Sequence, residues 1–198
     1  EIYTLSLHDA LPISIHPETI SACIQRADGH PLFLDQLLRA ARAGHDLLPG
    51  SVRSVVLARA ARVSARDHSA LQAAAVLGHR TALSALRRVL GDDEYDPTAL
   101  TETALVRFNG TEVEFAHALF RDAIYESTLK SQRRELHRTA AEWYASGDQA
   151  LRADHLAAAD DERATSAYLE ASLAEQAALR FERALGLVNK ASALAREP

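Results

Sequence analysis

The sequence predicts a mainly α-helical fold with a single β-hairpin set into it. Three observations carry this. Alanine and leucine abound, whereas the 198 residues hold only 8 glycines and 6 prolines. Apolar residues recur at helical spacing through most of the chain. Residues 104–115 instead alternate about Asn109-Gly110, a pair that tolerates the positive φ of a tight hairpin turn.

The totals set the bounds. A chain that is 47% hydrophobic can build a real core as one large or two small domains. The net charge of −5 argues against bulk attraction to nucleic acid or acidic membranes. Cys23 is the one cysteine, so no internal disulfide framework exists, and its place beside Ile24 in a helical pattern reads as a buried thiol. No run approaches the roughly 18 apolar residues of a membrane span. A cytoplasmic location without membrane contact is the expectation.

Residues 1–14, EIYTLSLHDALPIS, resemble translated sequencing-adapter sequence and are set apart from fold reasoning. The chain starts on Glu1 and stops just after a helical run, so an internal fragment of a longer protein is expected. Pro17 opens a first helix with Ile20, Cys23, Ile24 and Ala27 on one face, closed by Gly29. Pro31 opens the next, with Leu34, Leu37, Leu38 and Ala41 inward. After the break at Leu48-Pro49-Gly50, Ser51 is expected to cap a helix burying Val52, Val55, Val56, Ala60 and Val63.

A helix over 65–77 centres on Leu71, Ala74, Ala75 and Val76, and Gly78 ends it. Thr81 is expected to cap a short helix through Leu83, Leu86 and Leu90. Asp92-Asp93-Glu94 has no calcium-loop arrangement and reads as a solvated acidic loop. Asp96-Pro97 starts one more helix. A two-residue turn at Asn109-Gly110 would then set Phe108 opposite Thr111, Arg107 opposite Glu112 and Val106 opposite Val113. After Phe115 the period changes to a helical stripe of Leu119, Phe120, Ala123 and Ile124, with His117 at the junction. Helices, then a hairpin, then a helix packed on it is the order of a winged-helix domain, assigned here to 48–130.

Residues 131–198 read as the start of a TPR-like α-solenoid: small residues between large ones let successive helices approach closely. The first of these helices holds Leu136, Ala140, Trp143 and Tyr144, the second Leu151 and Leu156, the third Ala164, Tyr168, Leu169 and Ala174, and the fourth Phe181, Leu185, Val188 and Leu194.

No phosphate-cradling G-x-x-x-x-G-K-[ST] loop, G-x-S-x-G elbow, H-E-x-x-H or C-x-x-C occurs, and the nine histidines lack metal-ligand spacing. The fragment is expected not to be an enzyme. His117 stands out because a helix beginning there offers amide N–H groups and a positive dipole end to a phosphate. That field favours a neutral imidazole able to donate one hydrogen bond; the plainer alternative is that His117 only caps the helix. The basic run KSQRRELHR (130–138) falls after the wing and reads as the solvated face of an amphipathic helix.

Three segments together resemble the STAND-class signal-transduction ATPases, in which an AAA or NB-ARC-like ATPase precedes a winged helix and helical repeats, as in LuxR/MalT-type regulators and cyclase-linked ATPases. GHPLFLDQLL (29–38) is similar to the GNPLF-x-EELL end of the ATPase lid, which assigns 15–47 to that lid. LPGSVRSVVLAR (48–59) with AAAVLG (73–78) is similar to the opening of the winged helix. FAHALFRDAIY (115–125) is similar to the F-x-H-x-L-x-R-D-A-x-Y run after the wing. The resemblance implies that Gly29 and Pro31 contact bound nucleotide, Pro31 against its adenine, and that His117 contacts the ADP β-phosphate. His30 stands where asparagine is commoner, and Ala118 where NB-ARC proteins carry aspartate.

By the same resemblance, ATP or ADP is held mainly by an upstream ATPase core acting in cis. The helical repeats would receive a protein or small-molecule inducer, and the whole would control signalling or transcription. Nucleic acid is not an expected partner of this fragment. The alternatives are a DNA-binding winged-helix module and a TPR-type interaction scaffold.

Overall fold

The computed structural model describes residues 17–27, 34, 37, 38, 41 and 50–195. It is mainly helical, with a small antiparallel sheet. The chain divides into two compact units, 1–55 and 56–198.

In the first unit, α1 (Pro17–Ala27) starts on its proline, whose missing N–H costs nothing in a first turn. Cys23 is buried as expected, but Ile20 and Ile24 are 38% and 55% exposed, so the apolar stripe is narrower than its sequence suggested. Gly29 and Pro31 lie outside the described residues. Helix α2 (Gly50–Ala60), whose last five residues belong to the second unit, opens one residue before the expected Ser51 cap. Val56 and Ala60 are buried, whereas Val55, expected inward, is 53% exposed.

The second unit is built on α3 (Ala65–Leu77). Ser64 caps it, its Oγ accepting the Asp67 N–H at 3.1 Å. Every residue from 70 to 76 is buried, Gln72 included. Gly78, at φ +137°, ends the helix and turns the chain into β1 (Arg80–Ala82). Then follow α4 (Leu83–Leu90), closed by left-handed Gly91, and the single turn α5 (Thr98–Thr101), over whose start Asp96 accepts the Thr98 N–H.

Strand β1 corrects the sequence reading, which had Thr81 capping a helix. Thr81 is instead a buried strand residue opposite Val113, and α4 starts at Leu83 without a side-chain cap. Three residues are too few for a period-two signal. The strand forms because β3 offers it a free edge: the Phe115 N–H donates to the His79 carbonyl at 2.9 Å and the Leu83 N–H to the Thr111 carbonyl at 2.8 Å.

Strands β2 (Val106–Phe108) and β3 (Glu112–Phe115) form the expected hairpin, and the sheet order is β1-β3-β2. Its register differs from the expectation by two: Phe108 faces Val113, Arg107 faces Glu114 and Val106 faces Phe115. Asn109 is the reason. Its Oδ1 accepts the Thr111 and Glu112 amides at 3.0 and 2.8 Å, which makes it the first turn residue and moves the centre to Gly110-Thr111. Gly110 supplies the positive φ of +96°. An even slip keeps every side chain on its face, so Val106, Val113 and Phe115 remain buried. The expected Arg107/Glu112 pair is not made; Arg80 holds the Glu114 carboxylate, with both oxygens at 3.2 Å.

Beyond the sheet come α6 (Ala118–Ser127), α7 (Lys130–Trp143), a 3-10 turn (Tyr144–Ser146), α8 (Gln149–Ala158), α9 (Ala164–Ala177) and α10 (Phe181–Leu194). Helix α7 packs on α3 and α4 on one side and on α8 on the other, and α8, α9 and α10 pack in succession. Their shared core is small-residue packing: Ala153, Ala164, Ala167, Ala171 and Ala191 around Leu156, Tyr168 and Leu187. Leu156 and Tyr168 thus lie inside, but several other large apolar positions of these helices point outward. Leu169, Phe181, Leu185 and Val188 are 41–62% exposed, while Ala184 and Leu187 face inward. Alanine lets helix axes approach closely, and that packing takes the alanine face. Trp143 is likewise 38% exposed, because α7 turns His137, Ala140 and Ala141 inward. Among the described residues, no helix is long and apolar enough to cross a membrane.

Candidate functional site

His117 is reached two residues after β3 ends. The Ala116 N–H donates to the Leu105 carbonyl at 2.8 Å, which carries the sheet up to the junction. His117 itself is extended (φ −152°, ψ 143°) and is the N-cap of α6. Its Nδ1 accepts the Leu119 N–H at 3.1 Å, and its carbonyl accepts the Phe120 N–H at 3.0 Å. A ring nitrogen that accepts from an amide carries no proton, so a neutral ring holds its proton on Nε2. The side chain is 8% exposed, with the Phe120 ring 5.7 Å away.

Capping is therefore one thing that His117 does within the fold. Two of the amides foreseen as a phosphate seat are already engaged, one by the imidazole and one by the first turn. Of the three residues the resemblance singled out, His117 is placed by the structure, and Gly29 and Pro31 lie outside the described residues.

The helix that His117 caps is pinned from below. Arg121 Nε donates to the Ala75 carbonyl in the last turn of α3 at 2.7 Å, its guanidinium lies 4.7 Å from the centre of the Tyr125 ring, and Nη1 meets Asp122 at 3.2 Å. A guanidinium suits the site because one planar group serves the carbonyl, the carboxylate and the ring together.

Sequence reasoning missed a second polar cluster. His137 on α7 and His155 on α8 are both buried and meet Nδ1 to Nδ1 at 2.8 Å. Tyr125 Oη lies 3.0 Å from His137 Nε2, and Tyr144 stacks on His155 at 5.5 Å with the rings 7° from parallel. Burial holds the His137 imidazole at about 4, helped by His155 and by the cations of Arg121 and Arg133. Burial lowers His155 as well, against the opposing pull of Asp154. These histidines are 18 residues apart on different helices, so no local spacing announces them. The usable signal was a histidine set among inward alanines.

The basic run of α7 is taken up internally. Arg134 and Lys130 pair with Asp160, Arg138 lies 3.9 Å from Asp161, and Arg133 donates to the Tyr125 carbonyl at 3.0 Å. No group of three or more metal-ligating side chains occurs among the described residues. Compared with known protein families, with curated proteins and with solved structures, the chain matches none.

Proposed function

We infer that the chain is the regulatory part of a nucleotide-switched signalling ATPase of the STAND class, non-catalytic in itself, that couples ATP or ADP state to a helical sensor arm. The observation that carries this reading is His117 at the strand-to-helix junction, with Nδ1 fixed by its own helix and the ring's proton on Nε2. A neutral imidazole can donate one hydrogen bond without bringing a charge, which suits a β-phosphate already neutralised elsewhere. The element order supports it too. A helix, a strand, two helices and a hairpin, with the first strand paired to the last, is the layout of a winged helix. The alanine-packed succession of α8, α9 and α10 on α7 fits a TPR-like arm able to receive an inducer. Nucleotide would be held mainly by an upstream core and lined by Gly29 and Pro31.

Replacement of His117 in the longer parent polypeptide tests the reading. His117→Asn keeps a good N-cap and removes the imidazole, so ADP should leave faster or basal signalling should rise. Unchanged ADP release in His117→Asn would sink it. So would an upstream coding region without a phosphate-binding loop. The DNA-binding alternative finds little support. Helix α5, where a winged helix would present its reading head, is the four residues Thr98–Thr101, with no cation among them. The hairpin tip, Asn109, Gly110 and Thr111, carries none either.

A further inference from the structure

The Tyr125, His137 and His155 rings lie end to end across three consecutive helices. Tyr125 belongs to the helix that His117 caps, His137 to the helix shared with the sheet-bearing part, and His155 to the first helix of the arm. Two nitrogens at 2.8 Å can share only one proton, so one Nδ1 donates and the other accepts. The opposite end of His137 is closed by the Tyr125 hydroxyl at 3.0 Å, which can donate or accept. The closed chain thus accommodates two neutral rings, and a second N–H between the facing nitrogens has no room.

The surroundings oppose added charge. From α6, Arg121 stands over the Tyr125 ring; from α7, Arg133 stands over the same ring at 4.9 Å. The 3-10 turn contributes the flat face of Tyr144, whose neighbouring carboxylate is Asp148 at the start of α8. On α8 the nearest carboxylate is Asp154, and it is already held by the Tyr168 hydroxyl at 2.7 Å and by Lys190 at 2.6 Å. Two cations and an occupied carboxylate face the pair.

We propose that Tyr125, His137 and His155 form a proton-operated latch that keeps the arm, α8 to α10, closed on α7 when both rings are neutral and releases it when they take up protons. Opening lets each imidazole accept one proton from water, so that two neutral rings with one N–H each, one of these lying between the facing nitrogens, become two imidazolium groups in solvent. The open population then rises about tenfold per pH unit for each proton taken up, and up to about a hundredfold per unit where the closed pair holds none. The latch is independent of any nucleotide role for His117, since neither its rings nor its readout involve that residue.

Native-state hydrogen exchange on the whole chain between pH 7.5 and 5, corrected for intrinsic exchange, tests it. Exchange in α8 to α10 should climb by at least tenfold per unit below about pH 6.5, while the core of α3 stays protected. His155→Gln should lessen that dependence by about tenfold per unit, and His137→Gln with His155→Gln should abolish it. Exchange of the arm that does not change with pH overturns the latch. So does an equal rise in α3, which would mean global loss of structure, or an unchanged pH dependence in the double variant. Ring-nitrogen NMR of the unaltered protein decides independently of whether the variants fold. Rings that titrate at or above the ordinary histidine value overturn it, and rings that stay neutral well below that value support it.

Discussion

Arg121 donates from Nε to the Ala75 carbonyl at 2.7 Å, joining the helix that carries the candidate histidine to the final turn of the most buried helix in the second unit. A carbonyl in a last helical turn lacks an intrahelical partner, so a cation there satisfies an orphan group and complements the dipole. The same guanidinium lies over the Tyr125 ring. Arg121→Met keeps the apolar stem but removes these two interactions and the pair with Asp122. A loss of about 1.5–3 kcal/mol is expected, read as a lower urea midpoint with unchanged slope. A midpoint within error of the unaltered protein would show the contact to be incidental.

His117 should separate its two roles by substitution. His117→Ala removes an N-cap acceptor and is expected to cost about 0.5–2 kcal/mol, whereas His117→Asn should recover most of that. Equal destabilisation by both would mean that ring packing against Phe120, 5.7 Å away, outweighs the cap. The comparison needs only thermal melts of the chain.

The helices and the hairpin were legible in the sequence because periodicity is local, and α3 agrees with its expected limits of 65 and 77. What escaped was set by partners distant in sequence. Strand β1 exists because β3 has an edge to offer, and Thr81 alone carries no sign of that. The hairpin register turned on one side-chain oxygen, that of Asn109, and the even slip shows the apolar pattern fixing the face while the turn fixes the pairing. The candidate site was legible at His117, whose position at the change of period is a local fact. The His137–His155 pair was not, since only the packing of α7 on α8 brings those rings together.

The turn itself is testable. Asn109→Ala removes the acceptor for two backbone amides and is expected to cost about 1–2 kcal/mol. Gly110→Ala meets no atom within 4 Å, so its cost is backbone strain alone at φ +96°, on the order of 1 kcal/mol. Asn109→Ala should also broaden the amide signals of Thr111 and Glu112, which Gly110→Ala should leave sharp.

Acid should destabilise the protein in two separate windows. His137 is held at about 4 when folded, below its ordinary value of 6.5, so the unfolded chain binds the proton first. That contribution is complete above about pH 6.5 and drains away as pH falls toward 4. Asp161 is held at about 2 by its hydrogen bonds with Arg163, below its ordinary 3.8. Its contribution is complete above its ordinary value and is lost between there and about pH 2. Melting temperatures should show the first decline removed by the double glutamine replacement of His137 and His155. The second should be lessened in Asp161→Asn. A single decline confined below pH 4 would contradict the histidine contribution.

The arm's inverted pattern makes the sharpest stability contrast. Ala184 faces the neighbouring helix at 8% exposure, and Leu185, one residue on, is 62% exposed. A reading by side-chain size would place the leucine inside and the alanine outside. The structure implies the reverse ordering of costs. Ala184→Leu forces added volume between closely approached helices and should cost about 1–3 kcal/mol. Leu185→Gln should change stability by no more than about 0.5 kcal/mol. Denaturant titrations of the two variants decide the orientation of α10. If Leu185→Gln proves the more damaging, the helix is rotated and the alanine-packed core of the arm is wrong.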